Sequence, residues 1–162
     1  MKIKNGQRYQ MIPRTLVFIK DGDKYLLIHK KKNNSFGFNK LNGVGGHIEK
    51  GEEPYASARR EIKEETNLVV KNLELAAILF IDLNSSPGIQ VYVFKAENAG
   101  GELSPSEEGA LKWMSLTEIC ASPGVVFDVP DLIQTCELHN QGSKAAIIKY
   151  IYDDFGELRI VN

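Results

Sequence analysis

Short apolar runs alternate with turn-forming residues along most of the chain, a rhythm that predicts a sheet-rich protein with few helices. Residues 15–19 (TLVFI) and 25–29 (YLLIH) flank Asp21-Gly22-Asp23, which is strong turn chemistry, so they predict a β-hairpin. Residues 68–83 predict one or two strands with Asn72 as the break, and 89–95 (IQVYVFK) alternate before a glycine turn at Gly100-Gly101. A short strand over 111–114, and a closing pair over 145–152 and 158–161 joined by a turn at 153–157, complete the series. Several runs are apolar on both faces, which demands cover on both sides of the sheet.

Two stretches carry helical periodicity instead. Residues 54–66 open with Pro54 behind Glu52 and Glu53, where proline suits the first helical position and acids suit the dipole. Tyr55, Ala58 and Ile62 recur at helical spacing and predict the buried stripe. The second helix is predicted over 130–139, with Leu132, Ile133 and Cys136 inward and Gly142 just past its end; a shorter helical turn occupies 116–121. Strands interleaved with helices indicate an α/β protein, a mixed β-sheet flanked by helices on both faces. No repeat, low-complexity stretch or linker divides residues 1–162, so a single domain is expected.

Composition narrows the function classes. With 162 residues, 43% apolar and 25% charged, collagen-like, disulfide-rich and disordered classes are excluded. Twenty Lys and Arg against 21 Asp and Glu leave no global field to attract duplex nucleic acid or an anionic membrane, so neither partner is expected. The chain has no apolar run of the ~20 residues a membrane span needs and no signal-peptide core at its start, which predicts a cytoplasmic protein. Cys120 and Cys136 lack metal-ligand spacing and read as two buried thiols.

The chemistry concentrates between residues 42 and 68. Gly43-Val44-Gly45-Gly46 strips side chains from a stretch of backbone, as a tight turn or a close approach requires. Glu61, Glu64 and Glu65 stand at i, i+3 and i+4 and so are expected on one helix face, where each like-charge pair costs about 0.2–0.5 kcal/mol. A hard cation would relieve that repulsion. Oxygen-rich, histidine-poor ligation selects Mg²⁺, with Mn²⁺ as substitute, over zinc.

Gly46, five residues, Glu52, seven residues, and then Arg60-Glu61-Ile62-Lys63-Glu64-Glu65-Thr66-Asn67-Leu68 resembles the Nudix box, Gx5Ex7REUxEExGU with U aliphatic. Eight of its nine specified positions agree; Asn67 stands where the pattern has Gly, and Asn is the next most tolerant residue of the left-handed conformation at a helix end. Phe36-Gly37, the segment 42–46, and Glu108 five residues before Trp113 resemble the MutT-type 8-oxo-dGTP diphosphatases of that family.

The resemblance implies a Nudix-type α/β/α sandwich and Mg²⁺-dependent hydrolysis of a small nucleotide. The expected substrate is an oxidised purine nucleoside triphosphate such as 8-oxo-dGTP, giving monophosphate and pyrophosphate. The same box also serves hydrolases of ADP-ribose, dinucleoside polyphosphates or caps, and non-catalytic nucleotide-binding modules. By position, Glu64, Glu65 and the Gly46 carbonyl would hold the metal, with Glu61 as a further ligand and Glu108 completing the shell from a loop. Glu61 or Glu65 would activate water, and Arg60 would pair with Glu52 or Glu61 to steady the carboxylates. The nucleotide would meet Phe36, Asn42, Gly45 and a purine-pocket acid, Asp131 or Asp128. Asn42 reads either as a base contact or as the turn-forming residue before Gly43. Lys30-Lys31-Lys32 predicts a solvated strand end.

Overall fold

Strand β1 (Met11–Asp21) turns through Gly22, at φ 59°, into the antiparallel strand β2 (Lys24–Lys30), as the turn chemistry requires. The computed structural model describes residues 8–31, 39–83, 85–104, 107, 109–152 and 158–161. Beyond Leu26, β2 leaves β1 and pairs with the two-residue strand β3 (Leu41–Asn42), while its other edge carries a strand over Gly109–Ser115. Residues 44–48 fill the gap left beside β1. Val17 and Val44 exchange backbone bonds of 2.7 and 3.1 Å, Thr15 N donates to the Gly46 carbonyl (2.9 Å), and Ile48 N donates to the Pro13 carbonyl (3.1 Å).

Helix α1 (Pro54–Thr66) leads into β4 (Val69–Leu83) and β5 (Ser85–Gly100); β6 is the strand over Gly109–Ser115. Helices α2 (Leu116–Ala121) and α3 (Val129–Leu138) precede β7 (Ala146–Tyr152) and β8 (Leu158–Val161). The sheet order is β3-β2-β1-β5-β4-β7-β8, with β6 on β2; β1–β5 and β4–β7 are parallel, so the sheet is mixed. Asn72 does not break β4. It adopts the left-handed conformation (φ 52°) at a register shift between Lys71 and Glu74, and the strand continues through the irregularity.

Alternation along β1 sends Val17 and Ile19 to one face and Phe18 to the other. The first face, with Leu26, Val44 and Phe94, packs on Ala58 and Ile62 of α1. The second, with Leu27, Leu79, Val93 and Tyr150, packs on Ile119 of α2 and Leu132, Ile133 and Cys136 of α3. Both faces are therefore covered, as the doubly apolar strands predicted.

Three expectations need correction or restriction. Tyr55 is exposed rather than part of the buried stripe; its ring meets Phe94 edge-on, with centroids 4.9 Å apart, so one face packs while the rest stays in water. Cys136 is buried but Cys120, near the end of the short helix α2, is exposed. The turn over 153–157 lies outside the described residues. Among the described residues, no helix is long and apolar enough to cross a membrane.

Candidate active site

Helix α1 starts where Glu53 turns its carboxylate onto the backbone N–H groups of Tyr55 (2.8 Å) and Ala56 (2.6 Å). It stops at Asn67, which is left-handed (φ 59°) and donates its backbone N–H to the Lys63 carbonyl. The residue that departs from the glycine of the motif thus keeps the conformation, and its side-chain Nδ2 adds a bond to the Glu102 carbonyl (3.0 Å). Asn67→Ala forces a β-carbon without that bond into the left-handed region and is expected to lower stability by about 1–2 kcal/mol in urea unfolding. Asn67→Gly should cost less.

The three carboxylates of α1 do not share one face. Glu61 and Glu65, one turn apart, are turned inward and are 9% and 1% exposed, whereas the Glu64 side chain is 60% exposed. The true inward stripe is Ser57, Ala58, Glu61, Ile62 and Glu65. Glu65 is fully engaged: Lys30 Nζ donates to its Oε1 (2.9 Å) and Gly45 N to its Oε2 (2.9 Å), while the same ammonium also donates to the Gly45 carbonyl. Lys30 is therefore buried, not a solvated strand end, because alternation gives it the face of Leu26 and Ile28, beneath which α1 lies.

Glycine is required where this helix meets the sheet. Gly45 has φ +150°, and a Cβ there would lie 2.2 Å from the Thr15 carbonyl oxygen. A Cβ on Gly46 would lie 2.4 Å from Glu61 Oε1. These two positions let the backbone pass close to both β1 and the Glu61 carboxylate.

Arg60 holds the outer half of the cluster. Its Nε and Nη2 grip Glu52 in a fork (2.7 and 2.9 Å), Nη1 reaches Glu61 Oε1 (2.9 Å) and Glu64 Oε2 (3.1 Å), and Nη2 also donates to the His47 carbonyl (3.1 Å). Both expected partners are thus used at once. The Arg60 bond, aided by the Glu49 N–H, holds the Glu52 carboxyl down to about 2, and the Glu52 contact raises Arg60 in return. Burial pushes Glu61 and Glu65 above the usual carboxylate range, opposed by Arg60 in the first case and Lys30 in the second.

An open cleft borders this cluster, with Arg14, Thr15, Lys30, Asn42, Gly45 and Asp128 among its walls. Asn42, at the end of β3, is buried at the cleft wall, and its Oδ1 accepts the Gly43 N–H (2.8 Å). Asp128 and Asp131 part company: Asp128 is buried in the cleft, whereas Asp131, one turn of chain later on α3, is exposed. Asp128 occupies the N-cap position of α3 yet makes no side-chain cap bond; it accepts instead from the Tyr150 hydroxyl (3.1 Å). Burial raises its carboxyl above the usual range. Phe36 and Glu108 lie outside the described residues.

Sequence reasoning missed Arg14 and Thr15, a polar pair inside the strand run MIPRTLVFI that was the one available signal. Arg14 donates through Nε to His47 Nε2 (3.2 Å), and burial with the Arg14 and Lys30 charges lowers His47. The buried Thr15 Oγ1 has no hydrogen-bond partner among the described residues. A second concavity, six residues further along β1 at Lys20, is internally neutralised, with Lys20 on Glu137 (2.9 Å) and Lys95 near Glu74 (3.7 Å).

The family model of the NUDIX domain matches residues 11–136. The chain belongs to the Nudix hydrolase family. An oxidized purine nucleoside triphosphate hydrolase of Danio rerio is 35% identical over 106 residues, 65% of this chain and 67% of that protein. Its counterpart of the same name in Mus musculus is 33% identical over the same shares. The crystal structure of a MutT protein from Bacillus halodurans superposes with a TM-score of 0.69 at 26% identity, covering 93% of this chain and 97% of that one. A NUDIX domain of Shewanella oneidensis NrtR, complexed with ADP ribose, shares the fold (TM-score 0.64, 17% identity, 85% and 92% covered).

Nudix hydrolases generally use divalent metals. Among the described residues no three His, Cys, Asp or Glu side chains form a ready metal cage, and Arg60 and Lys30 hold the carboxylates of α1. The donor set nevertheless fits a hard cation. Glu61 Oε1 and Glu64 Oε2 already converge on one positive atom, Arg60 Nη1, and every candidate donor is oxygen. The Gly46 carbonyl gives one lone pair to Thr15 N and has a second to offer.

Proposed function

We propose that this Nudix hydrolase cleaves purine nucleoside triphosphates, oxidised ones such as 8-oxo-dGTP foremost, to monophosphate and pyrophosphate with Mg²⁺, or Mn²⁺ in its place. The observation that carries this reading is the cleft itself, which two buried polar side chains, Asn42 and Asp128, line together with the glycine segment that meets Glu61. An amide offers an acceptor and donors and a carboxylate offers acceptors, a set suited to a purine edge on which oxo groups and N–H groups alternate. The names of the Danio rerio and Mus musculus relatives support the same substrate class. The single-domain reading of residues 1–162 is supported by β7 and β8, which extend the same sheet beyond the matched region. Cytoplasmic free nucleotides are the pool proposed for it.

In this reading Glu61, Glu64, Glu65 and the Gly46 carbonyl would hold the metal, and Glu108 would be a further ligand. The bound cation would supply neutralisation of charge on the phosphate oxygens. Arg14 adds fixed positive charge along the cleft. Glu61 takes the proton of the attacking water, since both Glu65 oxygens are engaged by Lys30 and Gly45, and burial holds Glu61 above the usual carboxylate range. Water forms a new bond to phosphorus, the bridging P–O bond breaks, and pyrophosphate leaves. Arg60 keeps Glu52, Glu61 and Glu64 in register, and Gly45 lets the phosphates approach bare backbone.

Steady-state kcat/KM for 8-oxo-dGTP, dGTP, dCTP and ADP-ribose, with pyrophosphate detection, tests the substrate class; a preference for ADP-ribose would refute it. Asn42→Ala should raise KM for 8-oxo-dGTP by the equivalent of ~1–3 kcal/mol and barely change dCTP. An equal loss on all nucleotides would reduce Asn42 to a turn residue.

A further inference from the structure

Asp128 stands at the N-cap of α3, where an aspartate ordinarily turns back to bond the first helical N–H groups, and it does not do so. Something else orients its carboxylate. Besides its own backbone N–H, the carboxylate is bound by the hydroxyl of Tyr150, which donates to Oδ2 at 3.1 Å. Tyr150 comes from β7, which begins at Ala146, past residue 136 where the NUDIX match ends. Its position is determined by the sheet: parallel pairing with β4 sets Tyr150 opposite Ile81, itself a wall of the cleft. Its ring is wholly buried, and Phe127 meets it edge-on with centroids 6.3 Å apart, so the ring is packed from the side on which the chain approaches Asp128.

We propose that Tyr150 is a positioning residue for base selection. By binding Oδ2 of Asp128 it prevents the carboxylate from swinging back to cap α3 and presents the other oxygen, Oδ1, to the N–H groups on the edge of a guanine-type base. The β7–β8 hairpin thereby contributes to substrate choice without touching the substrate. This inference rests on the proposed purine-binding role of Asp128. The hydroxyl donates to a carboxylate oxygen, and burial raises the Tyr150 hydroxyl well above its ordinary value so that it remains a donor throughout the working range.

The test compares Tyr150→Phe, Asp128→Asn and the double variant, each checked for folding by thermal melting and assayed with Mg²⁺ on 8-oxo-dGTP, dGTP and dCTP. Tyr150→Phe keeps the ring and removes only the donor. It is expected to raise KM for the two guanine nucleotides on the order of tenfold, with a smaller effect on kcat and a smaller rise for dCTP. If Tyr150 acts through Asp128, the double variant should lose no more guanine selectivity than Asp128→Asn alone. A selective loss in Asp128→Asn with unchanged KM values in Tyr150→Phe would overturn this inference and leave the purine reading standing. Equal losses on all three nucleotides in Tyr150→Phe, or additive losses in the double variant, would also overturn it by assigning the tyrosine a packing role. No selective loss in Asp128→Asn would overturn both.

Discussion

Glu61→Gln is expected to lower kcat on a nucleoside triphosphate by roughly 10²–10⁴-fold, the range for losing a positioned general base, without lowering the melting temperature. The two halves of that result have one cause. Glu61 is buried against Gly46, and burial already disfavours its charge, so a neutral isostere of the same shape removes a desolvation cost while Arg60 retains Glu52 and Glu64. The same amide is a weak base and a poor ligand for a hard cation. Activity of the purified variant, measured beside its melting curve, checks both halves; full activity in a folded Glu61→Gln protein would sink the assigned site.

Glu65→Gln should behave in the opposite way. Lys30 and Glu65 are paired at 2.9 Å with side chains only 11% and 2% exposed, so neutralising the carboxylate strands an ammonium in the interior. Breaking a buried pair on one side costs about 3–5 kcal/mol, which should appear as a lower urea midpoint, and turnover should fall with it because Gly45 N–H loses its acceptor of full charge. Adding Lys30→Met to Glu65→Gln should recover much of the stability and none of the activity. A Glu65→Gln protein as stable as the parent would mean that the pair is solvated. Relief of helix repulsion, the effect the charge pattern alone suggests, is thus expected at Glu61 and not at Glu65.

That contrast marks how far the residues could be read without the fold. The ends of α1 were legible because they are written locally, in Pro54 behind Glu53 and in a left-handed Asn67. The hairpin was legible in the same way, through Asp21-Gly22-Asp23. Helical spacing also located the carboxylates, but spacing by i+3 and i+4 covers more than a right angle of helix surface, so it could not say which of Glu61, Glu64 and Glu65 the sheet would bury. The charge of Lys30 suggests solvent while strand alternation with Leu26 and Ile28 points inward, and in the fold the strand period prevails. Asp128, Asp131 and Tyr150 were beyond reach: choosing between the two acids depends on a parallel strand pairing with β4, a contact between residues 22 apart that leaves no trace in local pattern.

The segment at residues 44–48 looks like a glycine loop in the sequence and behaves as a strand. It occupies the place beside β1 that β2 vacates, tied by bonds at Pro13, Thr15 and Val17 and by Glu65 through Gly45 N–H. Fixing the backbone of a free loop costs about 1–2 kcal/mol of conformational entropy per residue, and here that cost is met when the protein folds. In the proposed function, an arriving triphosphate would therefore meet backbone that is already ordered, and binding energy that a floppy glycine loop would consume would remain available for discriminating one base from another.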